Sequence, residues 1–126
     1  MPFTAKGDVD IPGFQAVLRH VLRTGATSVM LFGFASEFYK LTDAERAELR
    51  HTLLTETGAR DEVAAIVSVT DHATELAIRR AGEAVADGAD AINILPPFLL
   101  DPSLAAVLDH LGAVLDAARV PVIIQY

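Results

Sequence analysis

The feature that most constrains the fold of this chain of 126 residues is a pair of small residues that returns at regular intervals. Gly25-Ala26, Gly58-Ala59 and Gly88-Ala89 are spaced by 33 and 30 residues, and Ala117-Ala118 takes the fourth place. Each pair ends a helical pattern and precedes an apolar run. A repeat of this length is typical of a helix–strand unit, in which glycine supplies the left-handed residue that ends the helix.

The segments between these pairs predict four such units. Apolar stripes predict helices over about 11–24, 43–57, 71–87 and from 101 onward, and apolar runs predict strands over 28–33, 63–69, 91–95 and 122–126. The strands are continuously apolar, which is typical of parallel strands covered on both faces. The predicted fold class is therefore α/β, in the order αβαβαβαβ. The expected helix starts are Asp10, a capping box of Thr42 with Glu45, either Thr70 or Asp71, and Asp101 with Pro102.

Composition narrows the class of protein further. Seventeen acidic and 10 basic residues give a net charge of −7, and the basic residues are scattered, so nucleic acid is not an expected partner. No apolar run approaches the roughly 18 residues of a membrane span, and the chain has no cysteine, so we expect a cytoplasmic protein without thiolate chemistry. No glycine-rich nucleotide-binding motif follows a strand, which favours a (β/α)8 barrel over an open nucleotide-binding sheet. The chain is about half as long as such a barrel.

Four segments follow one another along the chain: the opening FTAKGDVDIPGFQAVLRHVLRTGATSVML, then GFASEFYKLTDAER, ILPPFLLDPS and VPVIIQY. In this order they resemble the dihydrodipicolinate synthase / N-acetylneuraminate lyase family of Schiff-base aldolases, which fold as (β/α)8 barrels. The opening is similar to the segment after the family's first strand. GFASEFYKLTDAER stands where the family has Gly-Thr-Thr-Gly-Glu, ILPPFLLDPS where it has a Pro-Tyr-Tyr loop, and VPVIIQY where it has a strand ending in Tyr-Asn. The resemblance implies one partial barrel domain over residues 1–126, corresponding to strands two to five.

The resemblance also implies the site residues. The two family hydroxyl residues that hold the substrate carboxylate are replaced by Phe34 and Ala35, so that carboxylate binding falls to backbone N–H groups or to Ser36. Phe98 stands at the position of a relay tyrosine from the partner subunit. Because these relay groups are changed, synthesis of dihydrodipicolinate itself is not expected. The implied substrate-binding residues are Gly33, Phe34, Ala35, Ser36, Glu37 and Phe98, and the implied catalytic residues, at the family's strand-five tyrosine, are Gln125 and Tyr126.

The family's Schiff-base lysine lies on strand six, and neither Lys6 nor Lys40 matches it. The resemblance therefore implies a fragment or half of a carbon–carbon lyase that acts on a small keto acid such as pyruvate, without a cofactor or metal. We expect a homo-oligomer or a complementing half barrel as its partner. The strands SVMLFG and VIIQY would each leave an apolar edge, so the isolated 126-residue polypeptide is expected to associate.

Two other functions stay open. One is a non-catalytic half barrel that keeps the fold without the chemistry. The other is a metal-dependent aldolase in which Glu37, Asp71 and His72 hold a divalent cation. Each residue also has a structural interpretation: Glu37 can brace its loop, Ser36 can close a turn, Asp71 can cap a helix, and Phe98 can pack between subunits.

Overall fold

The computed structural model describes residues 1–99 and 101–125, and helices and strands alternate there in the predicted order. The four strands lie in one sheet in the order β1-β2-β3-β4, and both β2 with β3 and β3 with β4 pair in parallel. The α/β class is thereby confirmed. Within the described residues, no helix combines the length and the apolar character that crossing a lipid bilayer requires. The elements are α1 (Ile11–Arg23), β1 (Ser28–Leu31), α2 (Asp43–Thr57), β2 (Ala64–Ser68), α3 (Thr74–Ala86), β3 (Ala91–Ile94), α4 (Leu104–Ala117) and β4 (Val122–Ile124), with two 3₁₀ helices at Phe34–Ser36 and Phe38–Lys40.

The first of two compact units spans Met1–Ala65 and packs α1 against α2. The apolar stripe of α1 buries Leu18 and Leu22, while Asp10 Oδ1 accepts a hydrogen bond from the Gly13 N–H at 2.9 Å and caps the helix as predicted. Arg19 on α1 makes two hydrogen bonds from Nε to the Glu56 carboxylate on α2, at 2.9 and 3.0 Å. Because the Arg19 side chain is 53% exposed, solvent screens this ion pair, and it contributes little to stability.

The second unit begins at Ile66 and contains the rest of the sheet with α3 and α4. The register aligns Val67 with Ile92 and Ser68 with Asn93, so these two pairs point to opposite faces of the sheet. The small residues Ala77, Ala81 and Ala84 line the buried side of α3 and permit close approach of its backbone to its neighbours. The apolar runs of β2 and β3 are mostly buried, as the sequence predicts, whereas Ile123 and Ile124 on β4 are 40% and 44% exposed.

Two of the predicted helix starts are wrong. The capping box of Thr42 and Glu45 is present, but α3 begins at Thr74 after Ala73, which makes no side-chain cap. Asp71 instead accepts a hydrogen bond from the Ala73 N–H at 3.0 Å, and this local turn delays the helix. Helix α4 is capped by Ser103, whose Oγ accepts from the Ala106 N–H at 3.3 Å, rather than by the predicted Asp101 and Pro102.

The repeated glycines end their helices in two different ways. Gly25 and Gly88 have φ values of 88° and 102°, so both adopt the predicted left-handed conformation. The same prediction is wrong for Gly58, which is right-handed with φ −63°. A Cβ at Gly58 would lie 2.8 Å from the carbonyl oxygen of Leu54. Glycine is needed there for a close backbone approach and not for a positive φ.

Candidate functional site

Strand β1 leads into the segment with the predicted substrate-binding residues, residues 32–42, which we term the β1–α2 loop. Phe32 opens it with φ 62° although its side chain is only 2% exposed, and Glu37 in its middle has φ 58°. Each left-handed residue other than glycine costs roughly 1–2 kcal/mol. Strand β1 ends at Leu31, earlier than predicted, because Phe32 leaves the extended conformation. Backbone held in such conformations is characteristic of ligand-binding segments.

The polar side chains of this loop bond within the loop. Ser36 directs both its N–H and its hydroxyl to the carbonyl oxygen of Gly33, at 2.9 and 2.7 Å. Glu37 forms an ion pair with Lys40 at 3.1 Å, and both side chains are about half exposed. Phe34 and Ala35 are exposed. The structure thus places the predicted residues Gly33 to Glu37 in one tight segment, in which the hydroxyl of Ser36 closes a turn.

The remaining predicted residues belong to the second unit. Phe98 follows β3, is 51% exposed, and meets the ring of His72 edge-on with 4.6 Å between centroids. Gln125 follows β4, and its N–H donates to the carbonyl oxygen of Ile94 at 2.9 Å. Because Ile123 is aligned with Asn93, Gln125 lies two residues further along the same face of the sheet. The predicted residue Tyr126 lies outside the described residues.

That face also carries a buried polar network that the sequence analysis missed. Asn93 Nδ2 donates to Ser68 Oγ at 3.1 Å, Ser68 Oγ lies 3.1 Å from Thr70 Oγ1, and Thr70 Oγ1 accepts from the Leu95 N–H at 3.0 Å. All three polar side chains are at most 2% exposed. Asn93 Oδ1 is buried without a hydrogen-bond partner among the described residues. In the sequence, this network is indicated only by one polar residue in each of two otherwise apolar strand segments, Ser68 in VAAIVSV and Asn93 in AINIL.

A second polar cluster joins the start of α3 to α4. His110 Nδ1 lies 2.9 Å from Thr74 Oγ1, and its Nε2 is buried without a partner in the part of the chain that the structure describes. His110 is therefore a helix-packing residue. Burial lowers the pKa of the His110 imidazole, the negative charge of Asp71 acts in the opposite direction, and His72 lowers it further.

The residues proposed for a metal site have local partners. Asp71 contacts Arg80 at 2.5 Å in an ion pair whose side chains are 18% and 17% exposed, and Arg80 was not singled out from the sequence. His72 contacts Phe98, and Glu37 contacts Lys40. Across residues 1–99 and 101–125, no group of three His, Cys, Asp or Glu side chains is placed to hold a metal ion.

Comparison with known proteins identifies the family. The model of the dihydrodipicolinate synthetase family matches residues 1–126. The chain belongs to this family. A 4-hydroxy-tetrahydrodipicolinate synthase of Streptomyces coelicolor is 34% identical over 125 residues, which are 98% of this chain and 40% of the relative. The chain spans about 40% of the length of the curated relatives that it matches.

Solved structures of the family share the fold. A dihydrodipicolinate synthase from Agrobacterium tumefaciens superposes with a TM-score of 0.87 at 26% identity, over 98% of this chain and 41% of that one. A prophage protein of the family from E. coli K12, solved in complex with pyruvate, gives 0.88 at 24% identity, over 97% and 40%. These matches confirm the predicted partial (β/α)8 barrel for this family member. The E. coli likeness bears on the fold alone.

Proposed function

We propose that this chain forms part of a carbon–carbon lyase that acts on a small keto acid through a lysine Schiff base. The observation that carries the proposal is the family match along all of residues 1–126. The resemblance to this family supports a small keto acid as the class of substrate. We further propose that residues 1–126 form one partial barrel domain equivalent to strands two to five of the family barrel.

The reaction requires an amine that attacks the substrate carbonyl. The carbinolamine then loses water, and the resulting iminium withdraws electrons while the neighbouring carbon–carbon bond breaks or forms. A lysine serves this role in a desolvated setting. Lys40 is 53% exposed and ion-paired with Glu37, so its surroundings do not supply such a setting. We therefore assign the reacting lysine to a strand outside residues 1–126.

The predicted site residues receive the following roles. The backbone of Gly33 to Glu37 binds the carboxylate, because the Ser36 hydroxyl bonds to Gly33 and the side chains of Phe34 and Ala35 have no donor. Gln125 and Tyr126 are the proposed catalytic residues, and Phe98 is a further proposed substrate-binding residue, as the resemblance to the family implies. The replacement of the family's relay hydroxyls favours a reaction other than the synthesis of dihydrodipicolinate, with another carbonyl substrate. An oligomer remains part of the proposal.

Borohydride trapping tests the proposal. The natural polypeptide that contains residues 1–126 is incubated with pyruvate or other small keto acids and reduced, and peptide mass spectrometry locates the adduct. We expect a stable adduct on a lysine outside residues 1–126, at equal yield in Lys40→Arg and Lys6→Arg variants. An adduct on Lys40 or Lys6 would disprove the assignment of the lysine, and the absence of an adduct with every keto acid would disprove Schiff-base chemistry.

One observation favours a second candidate, a half-barrel module without catalysis. The β1–α2 loop presents Phe34 and Ala35 to solvent and uses the Ser36 hydroxyl internally. A loop of this kind suits packing as well as ligand binding. The same trapping experiment separates the two, because a non-catalytic module forms no adduct even when a complementing half barrel is supplied.

A further inference from the structure

Arg46 is a buried cation one turn into α2, with 6% of its surface exposed. Its guanidinium carbon lies 4.7 Å from the centre of the Phe32 ring and 5.4 Å from the centre of the Phe38 ring. Its Nη1 donates to the carbonyl oxygen of Phe38 at 3.2 Å. One side chain therefore contacts both the residue that opens the β1–α2 loop and a residue in its middle.

The sequence of the loop does not by itself favour the conformation that the loop adopts. Phe32 and Glu37 are both left-handed, with φ 62° and 58°, and neither is glycine. Without a restraint, these two residues would return to the extended or right-handed regions and move residues 33–37. The ring contacts and the hydrogen bond of Arg46 are present only when Phe32 and Phe38 hold their observed positions, so they favour the observed loop.

The start of α2, which carries Arg46, is held rigidly. Thr42 and Glu45 form a reciprocal capping box in which Glu45 Oε2 accepts from the Thr42 N–H at 2.8 Å, and the Arg46 N–H donates to the Thr42 carbonyl oxygen at 3.0 Å. Arg46 thus projects from a fixed helix start. The phenyl ring of Phe38 is only 6% exposed beneath it, whereas Tyr39 is 69% exposed. The buried side of the loop is the side that Arg46 holds.

We propose that Arg46 is a positioning residue for ligand binding: by holding Phe32 and Phe38 it raises the fraction of molecules in which residues 33–37 adopt the binding conformation. This inference rests on the proposed function, since its ligand is the keto acid of that reaction. When the competent fraction falls, the apparent dissociation constant rises by the inverse of that fraction, while the rate from the bound state is unchanged. Arg46 acts through the two phenylalanines and not through contact with the reacting atoms.

The test compares three variants of the natural polypeptide that contains residues 1–126. Arg46→Met keeps the length and the apolar contacts of the side chain but removes its charge and donors, and Arg46→Lys keeps the charge without the planar fork. Arg23→Met, at an exposed position on α1, is the matched control. We expect KM for the keto acid to rise about tenfold to a hundredfold in Arg46→Met, by an intermediate factor in Arg46→Lys, and not in Arg23→Met. The kcat should stay within about threefold of the parent value in all three.

Two further measurements separate positioning from a general structural role. In a fourth variant, Arg46→Ala, methylguanidinium can occupy the space that the side chain leaves; it should restore part of the lost affinity there and leave Arg23→Met unaffected. Backbone amides of residues 32–41 should exchange with deuterium faster in Arg46→Met than in the parent, because the open fraction of the loop is larger. A lower kcat with unchanged KM, or unchanged exchange of the loop amides, would overturn the positioning role.

The amide-exchange measurement needs no catalytic activity, so the two proposals can fail separately. If the parent polypeptide forms no Schiff base but Arg46→Met accelerates exchange in the loop, the proposed function is wrong and the restraint on the loop is supported. If the parent polypeptide is active and Arg46→Met changes neither KM nor exchange, the proposed function stands and the inference about Arg46 is wrong.

Discussion

The buried network of Ser68, Thr70 and Asn93 offers a sharp energetic prediction, because its members are unequally satisfied. Ser68 Oγ accepts from Asn93 Nδ2 and shares a hydrogen bond with Thr70 Oγ1. Ser68→Ala removes both of these hydrogen bonds, each worth about 0.5–1.5 kcal/mol, and leaves the Asn93 donor buried without an acceptor at a further cost of about 1–3 kcal/mol. Since such contributions overlap, we expect Ser68→Ala to lower the free energy of unfolding by about 2–4 kcal/mol.

Replacement of Asn93 should change the free energy of unfolding much less than replacement of Ser68. Asn93→Val removes the amide whose Oδ1 has no partner among the described residues, and it leaves the hydrogen bond between Ser68 and Thr70 in place. The lost hydrogen bond of about 1 kcal/mol is offset by the removal of an unsatisfied buried carbonyl, and valine suits a strand. We expect a change within about 1 kcal/mol in either direction.

The decisive quantity is the coupling between the two substitutions. The double variant Ser68→Ala/Asn93→Val contains no amide donor without an acceptor, so it should be more stable than Ser68→Ala alone by about 1–3 kcal/mol. Urea unfolding followed by circular dichroism measures all three, and Ile92→Val, at a fully buried neighbouring position, calibrates the loss of one methylene at about 0.5–1.5 kcal/mol. A double variant no more stable than Ser68→Ala would refute the assigned hydrogen bonds.

Three further predictions concern a titration, a backbone conformation and a strand edge. Because the pKa of His110 is lowered in the folded state, the unfolded state takes up a proton on this imidazole at a higher pH than the folded state does, so stability should fall as the pH drops below about 6.5. His110→Leu should flatten this dependence in urea midpoints measured between pH 5 and 7.5, whereas His20→Gln, at an exposed position, should not. Gly88→Ala should lower the free energy of unfolding by about 1–2 kcal/mol, because Gly88 has φ 102°. Gly82→Ala lies on the exposed side of α3 with no atom within 4 Å of the added Cβ and should raise the free energy of unfolding by about 0.5–1 kcal/mol, so a loss of stability in both variants would contradict this prediction. The isolated 126-residue polypeptide should elute in size-exclusion chromatography as an associated species. Because Ile124 on β4 is 44% exposed, Ile124→Lys should shift the polypeptide toward the monomer, and a monodisperse monomer of the parent would contradict the prediction.

Much of the fold followed from local sequence signals. The periodic small-residue pairs, the capping residues Asp10 and Thr42, and the continuous apolar runs predicted the order of elements because each depends on neighbours within one turn or one strand. The prediction was wrong where two local options compete. Asp71 can cap a helix or close a turn over Ala73, and only the packing of the whole segment selects the turn.

The candidate site was predictable to a smaller extent. Its segment, Gly33 to Glu37, was located by the resemblance to the family, but the conformation of Phe32 and the burial of Arg46 depend on contacts that no periodicity records. Asn93 was hidden for a similar reason, because its hydrogen-bond partner Ser68 is 25 residues away and is brought to it only by the strand register.

The placement of polar atoms in the β1–α2 loop shows how its backbone is held without hydroxyl side chains at positions 34 and 35. The carbonyl oxygen of Gly33 accepts the hydrogen bond that closes the turn, and the Ser36 hydroxyl donates it. The left-handed Glu37 forms an ion pair with Lys40, and Arg46 contacts the rings of Phe32 and Phe38 on the buried side. The observed conformation of the loop therefore depends on Ser36, Glu37 and Arg46 and does not require a side-chain donor at position 34 or 35.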